Sequence, residues 1–593
     1  MMNNNKLFDE LNNRFEARVR DYRIEKSTIY SHGESAVLSE GIAYIDAVFN
    51  LEIFDRLHKP ALIGVERIVD GKLWYNIFEV TSIMAYHLEM GSLRPDIPPL
   101  LKWDALERIE GSWYGGNGNR GGENWMSIVA VNTGYRVRLE NGEIKVVRDI
   151  LSPLVGSIAH IMSAELYSHL VNKEGVESIS IGNIVGYDVD ALIDIYSLFR
   201  YHTGIFGYTG TGKSNLVSTL LREALNKLDN LAVVVMDVSG EYPVNIVDLL
   251  HDHGVIYLDP SINLERFAES TVYPETLLDQ MKNQNLDLNI LMEALTNIER
   301  TYFESDPEFV TVSTFLESLN ELKLKPYQRH HINRLRRIVS RFDGDEYVYR
   351  IKDIDLDAWN EINGVLNHLY NQYRDSRSGV KDYISGLIDS INVKPVDGDL
   401  NTIYRICRDL LFGDKKRVYL FYLPEVKTAR IVLSKIINTV FSFRKKTSGG
   451  RNILFVVDEA HEFIPRDTRK EAYTSMSNEA MELLFRQGRK YGIGGWIATQ
   501  RVAHLNTNIL QQLHSYFIST LPRSYDRGVV AEAFSISKSV VDTVVSFDKG
   551  EWLFVSHVAT RYPNIPVRIK AFNNEFKILE WLSKHKINIQ RDR

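Results

Sequence analysis

A glycine-rich stretch near residue 210 has the residue types and spacing that hold a nucleoside triphosphate. Residues 207–214 read GYTGTGKS and fit the pattern G-x-x-x-x-G-K-[ST], between a predicted strand and a predicted helix. Glycines let backbone N–H groups curl around phosphate oxygens, and the helix N-terminus adds partial positive charge. We expect Lys213 to reach the β and γ phosphates and Ser214 to ligate Mg²⁺. The residues predicted to bind ATP are Gly207, Thr209, Gly210, Thr211, Gly212, Lys213, Ser214 and Asn215.

Two acids that follow an apolar strand supply the second half of such a site. In NILFVVDEAHEF, we expect Asp458 to hold the Mg²⁺ shell and Glu459 to orient or deprotonate the attacking water. The pair predicts ATP hydrolysis rather than passive nucleotide storage. His461 completes the string DEAH, but we interpret it as incidental because the surrounding segments do not resemble DEAH-box helicases.

Polar residues also end two other apolar strands. In GGWIATQ, Gln500 could sense the γ-phosphate or the attacking water, although strands often end in polar residues. In VVVMDVSGEY, Asp237 and Glu241 are placed to border the nucleotide, since ligands lie beyond the carboxyl ends of parallel strands. The alternative for these two acids is a turn formed by DVSGE.

Three cations, Arg486, Arg489 and Lys490, lie at the end of a predicted amphipathic helix in LLFRQGRKYGIGG. They could complement the helix dipole. Alternatively, in a ring of subunits, one arginine could cross the interface and neutralise charge on the neighbour's transferring phosphoryl group. From these residues alone, the two interpretations are equally supported.

Composition limits the class of protein. The chain has 593 residues, a formal net charge of -7 and a single cysteine, Cys407, which cannot form an intramolecular disulfide. The net charge argues against a generally basic surface for nucleic acid, so any polyanion must bind at a local basic patch or a ring of positive side chains. No apolar run approaches the roughly 20 residues that span a bilayer, and the first residues lack the apolar core of a secretory signal. We therefore predict a cytoplasmic protein that does not bind membranes.

The predicted fold class is an α/β P-loop ATPase core with an N-terminal small β-barrel and a helical insertion. Alternating apolar and polar positions predict a small β domain, and its being a barrel is what a family resemblance implies. Near-continuous apolar strands separated by helices predict a parallel sheet. The predicted units are a helical segment at 1–29, the barrel at 30–175, the first part of the core at 176–261, the insertion at 262–410, the second part of the core at 411–570 and a tail at 571–593.

The motifs GYTGTGKSN, MDVSGEY, VVDEAHEFIP, RQGRKYGIG and ATQR, in this order, resemble those of the HerA family of hexameric ATPases, which are allied to FtsK translocases. The resemblance implies a HAS-type barrel and a homohexameric ring, with ATP sites between subunits and duplex DNA in the pore. It also implies that Lys213, Ser214, Asp458 and Glu459 act in cis. Arg489 is the first candidate for a trans arginine, and Arg486 the second. Many relatives carry an arginine-histidine pair before the P-loop, where this chain has Tyr201-His202.

Two basic clusters are candidates for DNA contact. Arg334, Arg336, Arg337 and Arg341 are predicted to spread around a solvated helix, whereas Arg466, Arg469 and Lys470 follow the catalytic strand and could form a pore loop. The predicted function is an ATP-driven translocase or helicase that works with a partner nuclease or effector, in DNA-end processing or anti-phage defence. The alternative is a hexameric scaffold that regulates a separate nuclease or sirtuin-like NAD hydrolase. A membrane-anchored FtsK or conjugation-type motor ranks last.

Overall fold

The fold is given by a computed structural model that describes most of residues 6–591. The ranges outside the description are 1–5, 32–33, 89–98, 115–122, 150, 176, 260, 304–311, 313–314, 317–318, 320–323, 325, 343–347, 349–350, 374–379, 393–402, 448, 469–471 and 592–593. The proposed pore-loop residues Arg469 and Lys470 therefore lie outside the described residues. Among the described helices, none combines the length and apolar character needed to cross a membrane.

The N-terminal part is an antiparallel sheet that closes on itself. Its strand order is β2-β1-β7-β3-β4-β5-β6, and β2 also pairs with β5. The strands are β1 (Ala17–Ser31), β2 (Glu34–Val48), β3 (Leu62–Val69), β4 (Lys72–His87), β5 (Asn124–Glu140), β6 (Glu143–Arg148) and β7 (Ile158–Ile161), and the helices are α1 (Leu51–Leu57), α2 (Pro99–Tyr114) and α3 (Ala164–Val171). Inward-facing apolar side chains such as Ile45, Ile63 and Ile128 fill its centre.

The helical segment predicted at 1–29 is wrong over most of its length. In the part of this segment that the structure describes, the helical element is a short 3₁₀ turn, Glu10–Arg14, and β1 begins at Ala17. The reason is a period of two, because Ala17 and Val19 are buried while Arg18 and Arg20 are exposed. The mixed charges of this segment hid the alternation.

The ATPase core is one large sheet covered by helices on both faces. The strand order is β13-β12-β14-β11-β15-β16-β10-β17-β18-β19-β8-β9. These strands are β8 (Ser178–Ile184), β9 (Asp190–Asp194), β10 (Thr203–Phe206), β11 (Leu231–Asp237), β12 (Gly254–Leu258), β13 (Arg300–Tyr302), β14 (Val418–Tyr422), β15 (Asn452–Val457), β16 (Ile493–Thr499), β17 (Ser515–Ile518), β18 (Glu551–Ser556) and β19 (Val567–Ala571). Pairings from β13 to β17 are parallel, and those beyond β17 are antiparallel. The predicted α/β core is confirmed.

Helices connect these strands and form the insertion. They are α4 (Ile195–Arg200), α5 (Lys213–Lys227), α6 (Tyr242–Asn245), α7 (Val247–His253), α8 (Phe267–Ser270), α9 (Glu275–Asn283), α10 (Leu288–Asn297), α11 (Arg329–Val339), α12 (Ile351–Ile354), α13 (Leu356–Gln372), α14 (Val380–Asn392), α15 (Ile403–Phe412), α16 (Val426–Lys446), α17 (Thr474–Gln487), α18 (Thr507–Leu510), α19 (Ser524–Phe534), α20 (Lys538–Asp542) and α21 (Asn574–Arg591). The core strands are buried on both faces, as their continuous apolar runs require.

The helical insertion is narrower than the range 262–410 that the sequence predicts. Residues between Val312 and Ile391 form an apolar cluster of their own. The helices α9 and α10 instead pack in the core cluster on one face of the sheet, and α15 packs in the cluster on the other face. β13 also belongs to the large sheet, where it pairs with β12. Amphipathic spacing is the same for a helix on a sheet and a helix in a bundle, so it could not mark these boundaries.

The segment predicted as a tail at 571–593 is mostly the helix α21, which packs on its own chain. Its side chains Ile578, Leu579 and Leu582 are buried in the core. The amide of Asn215 fixes the start of this helix, since its Nδ2 donates to the carbonyl of Phe572 at 2.9 Å and its Oδ1 accepts from the N–H of Asn574 at 2.7 Å. The C-terminal helix is therefore anchored beside the P-loop.

Candidate nucleotide-hydrolysis site

The site lies at the carboxyl edge of the parallel strands. Because β10, β11, β15 and β16 run in the same direction, their ends bring the P-loop, Asp237, Asp458 and Gln500 to one edge. The sequence placed each of these residues after a strand but had no information on which strands are neighbours. The order β11-β15-β16-β10 supplies that information.

The P-loop joins β10 to α5 through backbone conformations that suit glycine. Gly210 and Gly212 have φ values of 83° and 101°, in the left-handed region that side chains with a Cβ avoid. α5 begins at Lys213, so the N–H groups of its first turn face the loop. The Lys213 Nζ lies 3.5 Å from the Tyr208 carbonyl oxygen. This arrangement makes a phosphate cradle at a helix N-terminus.

Ser214 and Glu241 form a hydrogen bond beside the cradle, whereas Asp237 stabilises the backbone turn that follows β11. The Ser214 hydroxyl donates to Glu241 Oε2 at 2.5 Å. The buried Asp237 accepts backbone N–H groups from Ser239, Gly240 and Tyr242 at 2.8–3.0 Å. Glu241 thus reaches the predicted metal side of the site. The Asp237 contacts match the turn alternative for DVSGE, and nucleotide contact by Asp237 stays a prediction.

Asp458 is a buried carboxyl group among other acids. Burial, followed by the negative charge of Glu459, raises the pKa of Asp458 to about 8, although the Glu459 N–H donates to its Oδ1 at 2.8 Å. Asp237 and Glu241 contribute in the same direction. Its charged form is therefore unfavourable unless a cation lies close by.

The donor chemistry at this edge fits Mg²⁺. Hydroxyl and carboxylate oxygens of Ser214, Glu241 and Asp458 are hard ligands, and a cation would relieve the crowding of negative charge. No group of three His, Cys, Asp or Glu side chains within the described residues could hold a metal by itself. Mg²⁺ typically takes one or two protein ligands and completes its shell with phosphate oxygens and water. Direct evidence for the metal would come from a nucleotide complex.

Glu459 is held in an uncommon backbone conformation beside His461. Its φ of 44° lies in the left-handed region, which is rare for a residue with a side chain. Burial alone would raise the pKa of Glu459, but its close contact with His461 and the charge of Lys213 bring the pKa below its ordinary value. An ionised glutamate near the phosphate-binding lysine has the protonation state that a general base needs.

His461, which the sequence interpretation treated as incidental, is part of this site. Its Nδ1 lies 3.1 Å from Thr499 Oγ1 and 3.3 Å from Glu459 Oε2, and its Nε2 lies 3.3 Å from Glu462 Oε1. Glu462 is in turn bound by the buried Arg430, which also donates to the Ala472 carbonyl. The three-residue spacing between Asp458 and His461 was the available signal, because the chain turns into a 3₁₀ helix there.

Gln500 contacts the P-loop directly. Its Oε1 accepts a hydrogen bond from Thr209 Oγ1 at 2.6 Å. Thr499, the last residue of β16, also contacts the loop through its carbonyl oxygen, which accepts the Gly207 N–H at 3.3 Å. A polar amide at this strand end can therefore respond to the position of the phosphate-binding loop.

The arginines Arg486 and Arg489 lie away from these residues. Arg489 stacks over the ring of Tyr201, 5.0 Å from its centroid, just before β10 begins. β16 runs from Ile493 to Thr499, about 20 Å at roughly 3.3 Å per residue, and separates Arg489 from the nucleotide edge. Both arginines are exposed. The fold therefore does not bring them to the P-loop of their own chain.

His202, in the Tyr201-His202 pair before the P-loop, is buried and has a structural role. His202 Nδ1 accepts the Gly495 N–H at 3.0 Å, and burial lowers its pKa to about 3. Arg200 binds the Tyr196 hydroxyl at 2.7 Å. Neither side chain reaches the P-loop edge in these contacts, because both precede β10.

The parallel sheet, the P-loop at the start of α5 and the acids after β15 define a P-loop ATPase. Comparison with known proteins gives a narrower class. Residues 179–410 match the family model "Helicase HerA, central domain". The DNA double-strand break repair helicase HerA of Sulfurisphaera tokodaii is 26% identical over 429 residues, which cover 72% of this chain and 75% of the relative. The protein of the same name from Pyrococcus furiosus is 24% identical over 445 residues, 70% and 73% of the two chains.

These matches show that the chain is similar to HerA helicases and support a HerA-like ATPase of the HerA–FtsK superfamily, and the prediction of an ATP-hydrolysing enzyme is confirmed. Among solved structures, the bacterial conjugative coupling protein TrwBdeltaN70 aligns with a TM-score of 0.40 and 11% identity, covering 70% of this chain and 92% of that one.

Proposed function

We propose that this ATPase is a motor that moves along or unwinds double-stranded DNA. The observation that carries the proposal is the grouping of Lys213, Ser214, Asp458, Glu459 and Gln500 at one sheet edge, which supplies a phosphate cradle, hard metal ligands and an ionised base. The printed names of the relatives, DNA double-strand break repair helicases, support DNA as the substrate.

The motor works as a homohexameric ring in this proposal, with Arg489 acting on the neighbour's nucleotide. Its support is the separation of Arg489 from its own P-loop by the length of β16. An exposed arginine at that distance can reach a phosphoryl group only across a subunit interface, where its planar fork suits transition-state charge. Arg486, on the last turn of α17, is the second candidate.

The finer assignments belong to the same proposal. The closed N-terminal sheet is the HAS-type barrel of HerA-like proteins, and Mg²⁺ is held by Ser214 and Asp458. A separate nuclease or NAD-hydrolase partner performs the effector reaction, in DNA repair or in anti-phage defence. The motor is cytoplasmic. The net charge of -7 is compatible with a protein partner and with DNA that contacts the chain only inside a ring.

The test is ATP hydrolysis by the purified chain with and without linear duplex DNA, together with the mass of the assembly. We expect a ring-sized species whose ATPase rate rises several-fold with DNA, and loss of that rate in Lys213→Ala and Glu459→Ala. An intact ring whose ATPase is indifferent to DNA would contradict the motor and favour the regulatory scaffold.

A further inference from the structure

The helix α11 of the insertion carries a concentration of positive charge. Residues 329–341 contain five arginines and two histidines and no acid, in a chain whose net charge is -7. The sequence interpretation spread four of these arginines around the helix. In the structure one side of α11 is buried, because Ile332, Leu335 and Ile338 pack in the insertion's apolar cluster. The charged side chains therefore occupy the remaining surface of the helix.

Arg334 and Arg337 share one side of α11, and Arg341 lies in the turn that follows its last residue, Val339. His330, Arg334, Arg337 and Arg341 follow one another at intervals of four, three and four residues, which places them in one stripe. All four side chains are exposed. They line a surface cleft of about 390 Å³, together with Glu361 on α13. Arg336 does not line this cleft.

The cleft keeps an excess of positive charge after its internal pairing. Arg334 Nε donates to Glu361 Oε1 at 2.7 Å, which neutralises one arginine. Arg337 and Arg341 form no ion pair with any residue in the described part of the chain. Among the described residues that line the cleft, two guanidinium groups therefore face solvent beside one carboxylate. Such an arrangement favours a polyanion that can supply more than one negative charge.

We propose that this stripe binds the phosphate backbone of duplex DNA, an inference that rests on the proposed DNA motor. From Arg334 to its end at Val339 the helix rises about 7.5 Å, at roughly 1.5 Å per residue, and the turn that holds Arg341 brings the stripe to about 10 Å. One strand of B-DNA presents about three phosphates over that length, at roughly 3.4 Å each along the axis. Arginine forks match phosphate oxygens and read no bases. The stripe therefore binds without sequence preference, outside the nucleotide site.

Glu361 sets the strength of this contact. A phosphate that takes Arg334 must displace the carboxylate from its 2.7 Å hydrogen bond. Removing the negative charge by Glu361→Gln should therefore tighten DNA binding, whereas removing Arg337 and Arg341 should weaken it. The two changes act in opposite directions on the same cleft, which a general loss of folding cannot reproduce.

The experiment measures binding of a fluorescein-labelled 30-base-pair duplex to the full chain by anisotropy, over a series of salt concentrations. We expect Arg337→Ala/Arg341→Ala to weaken binding about tenfold, to lower the slope of log affinity against log salt by about 2, and to leave ATPase without DNA unchanged. The control Arg329→Ala/Lys352→Ala removes the same charge from exposed positions of the insertion outside the cleft. It should bind like the wild type, and Glu361→Gln should bind several-fold tighter.

Two results would contradict DNA binding by the stripe without affecting the proposed motor. They are equal affinity losses in the two double variants and an unchanged salt slope in Arg337→Ala/Arg341→Ala. A wild type that binds no DNA but binds polyglutamate through these arginines would overturn the stripe as a DNA site and the proposed motor together. As a folding control, each variant should unfold at the same temperature as the wild type. A change in DNA binding then comes from the cleft and not from a loss of folding.

Discussion

The imidazole Nδ1 of His461 lies 3.3 Å from Oε2 of Glu459, the residue proposed to activate water. The same Nδ1 is 3.1 Å from Thr499 Oγ1 at the end of the neighbouring strand. His461 therefore joins Glu459, the proposed general base that follows β15, to the end of β16. Because Glu459 also has a left-handed backbone conformation, its side chain needs such a contact to keep one orientation.

Replacing His461 by alanine should lower kcat for ATP hydrolysis about tenfold and change KM less than about twofold. The reason is that Glu459 loses its positioning contact while the phosphate cradle stays intact. His461→Asn, which keeps a nitrogen donor on a short side chain, should recover part of the rate. His504→Ala is the matched control, since that histidine is exposed on the next turn beyond β16. An alanine variant with wild-type kcat would exclude this role.

Asp458→Asn should stabilise the nucleotide-free protein while abolishing ATP hydrolysis. Because burial raises the pKa of Asp458 to about 8, the folded state binds a proton more tightly than the unfolded state does. The favourable contribution of the protonated group is complete below about pH 4 and is lost as pH rises through 8. Asparagine avoids that loss, so the variant should gain a few kcal/mol, on the order of 2–5, in the free energy of unfolding at pH 8.

Chemical denaturation of wild type and Asp458→Asn between pH 5 and 9 checks this sign. The stability difference should grow with pH and be smallest at pH 5. A difference that is constant across this range would mean that Asp458 does not titrate there.

Arg489→Ala should bind ATP like the wild type and lose most hydrolysis, since the arginine is about 20 Å along β16 from its own site. Mixing Arg489→Ala with Lys213→Ala should restore activity, because some interfaces then combine an intact P-loop with an intact arginine. Arg486→Ala serves as the comparison within the same helix end. Failure of the mixture to exceed its two components would contradict a shared site.

Gln500→Ala should lower the single-turnover rate of ATP cleavage about tenfold, because the bond from Thr209 that links β16 to the P-loop is lost. Gln500→Glu keeps an acceptor for Thr209 but adds a negative charge near the phosphates, so it should be slower still. Rapid-quench measurements at saturating ATP separate these rates from binding. A glutamate variant faster than the alanine variant would contradict a role near the γ-phosphate.

Local sequence patterns were sufficient to predict the P-loop and the central parallel strands of the core. The glycines and Lys213 mark the turn from β10 to α5 because few other residues adopt those φ values. The apolar runs of β11, β15 and β16 predict buried parallel strands, and the structure has them. These features depend on neighbours in sequence, so a pattern can carry them.

Features that depend on distant contacts could not be predicted. The pairing of β13 with β12 lies inside a region of helical spacing, and the strand has only three residues. His461 acquires its role from Thr499, which is 38 residues away. The stripe of Arg334, Arg337 and Arg341 becomes visible once the buried side of α11 is known. In each case tertiary packing, rather than local propensity, decides the outcome.

The most direct test of the proposed motor is displacement of a labelled third strand from a DNA triplex by the purified protein in the presence of ATP. We predict ATP-dependent displacement by the wild type, none by Glu459→Gln, and DNA binding by both. Displacement that is equal in Glu459→Gln, or absent in a wild type that hydrolyses ATP and binds the same DNA, would contradict the assignment of this chain as a DNA translocase.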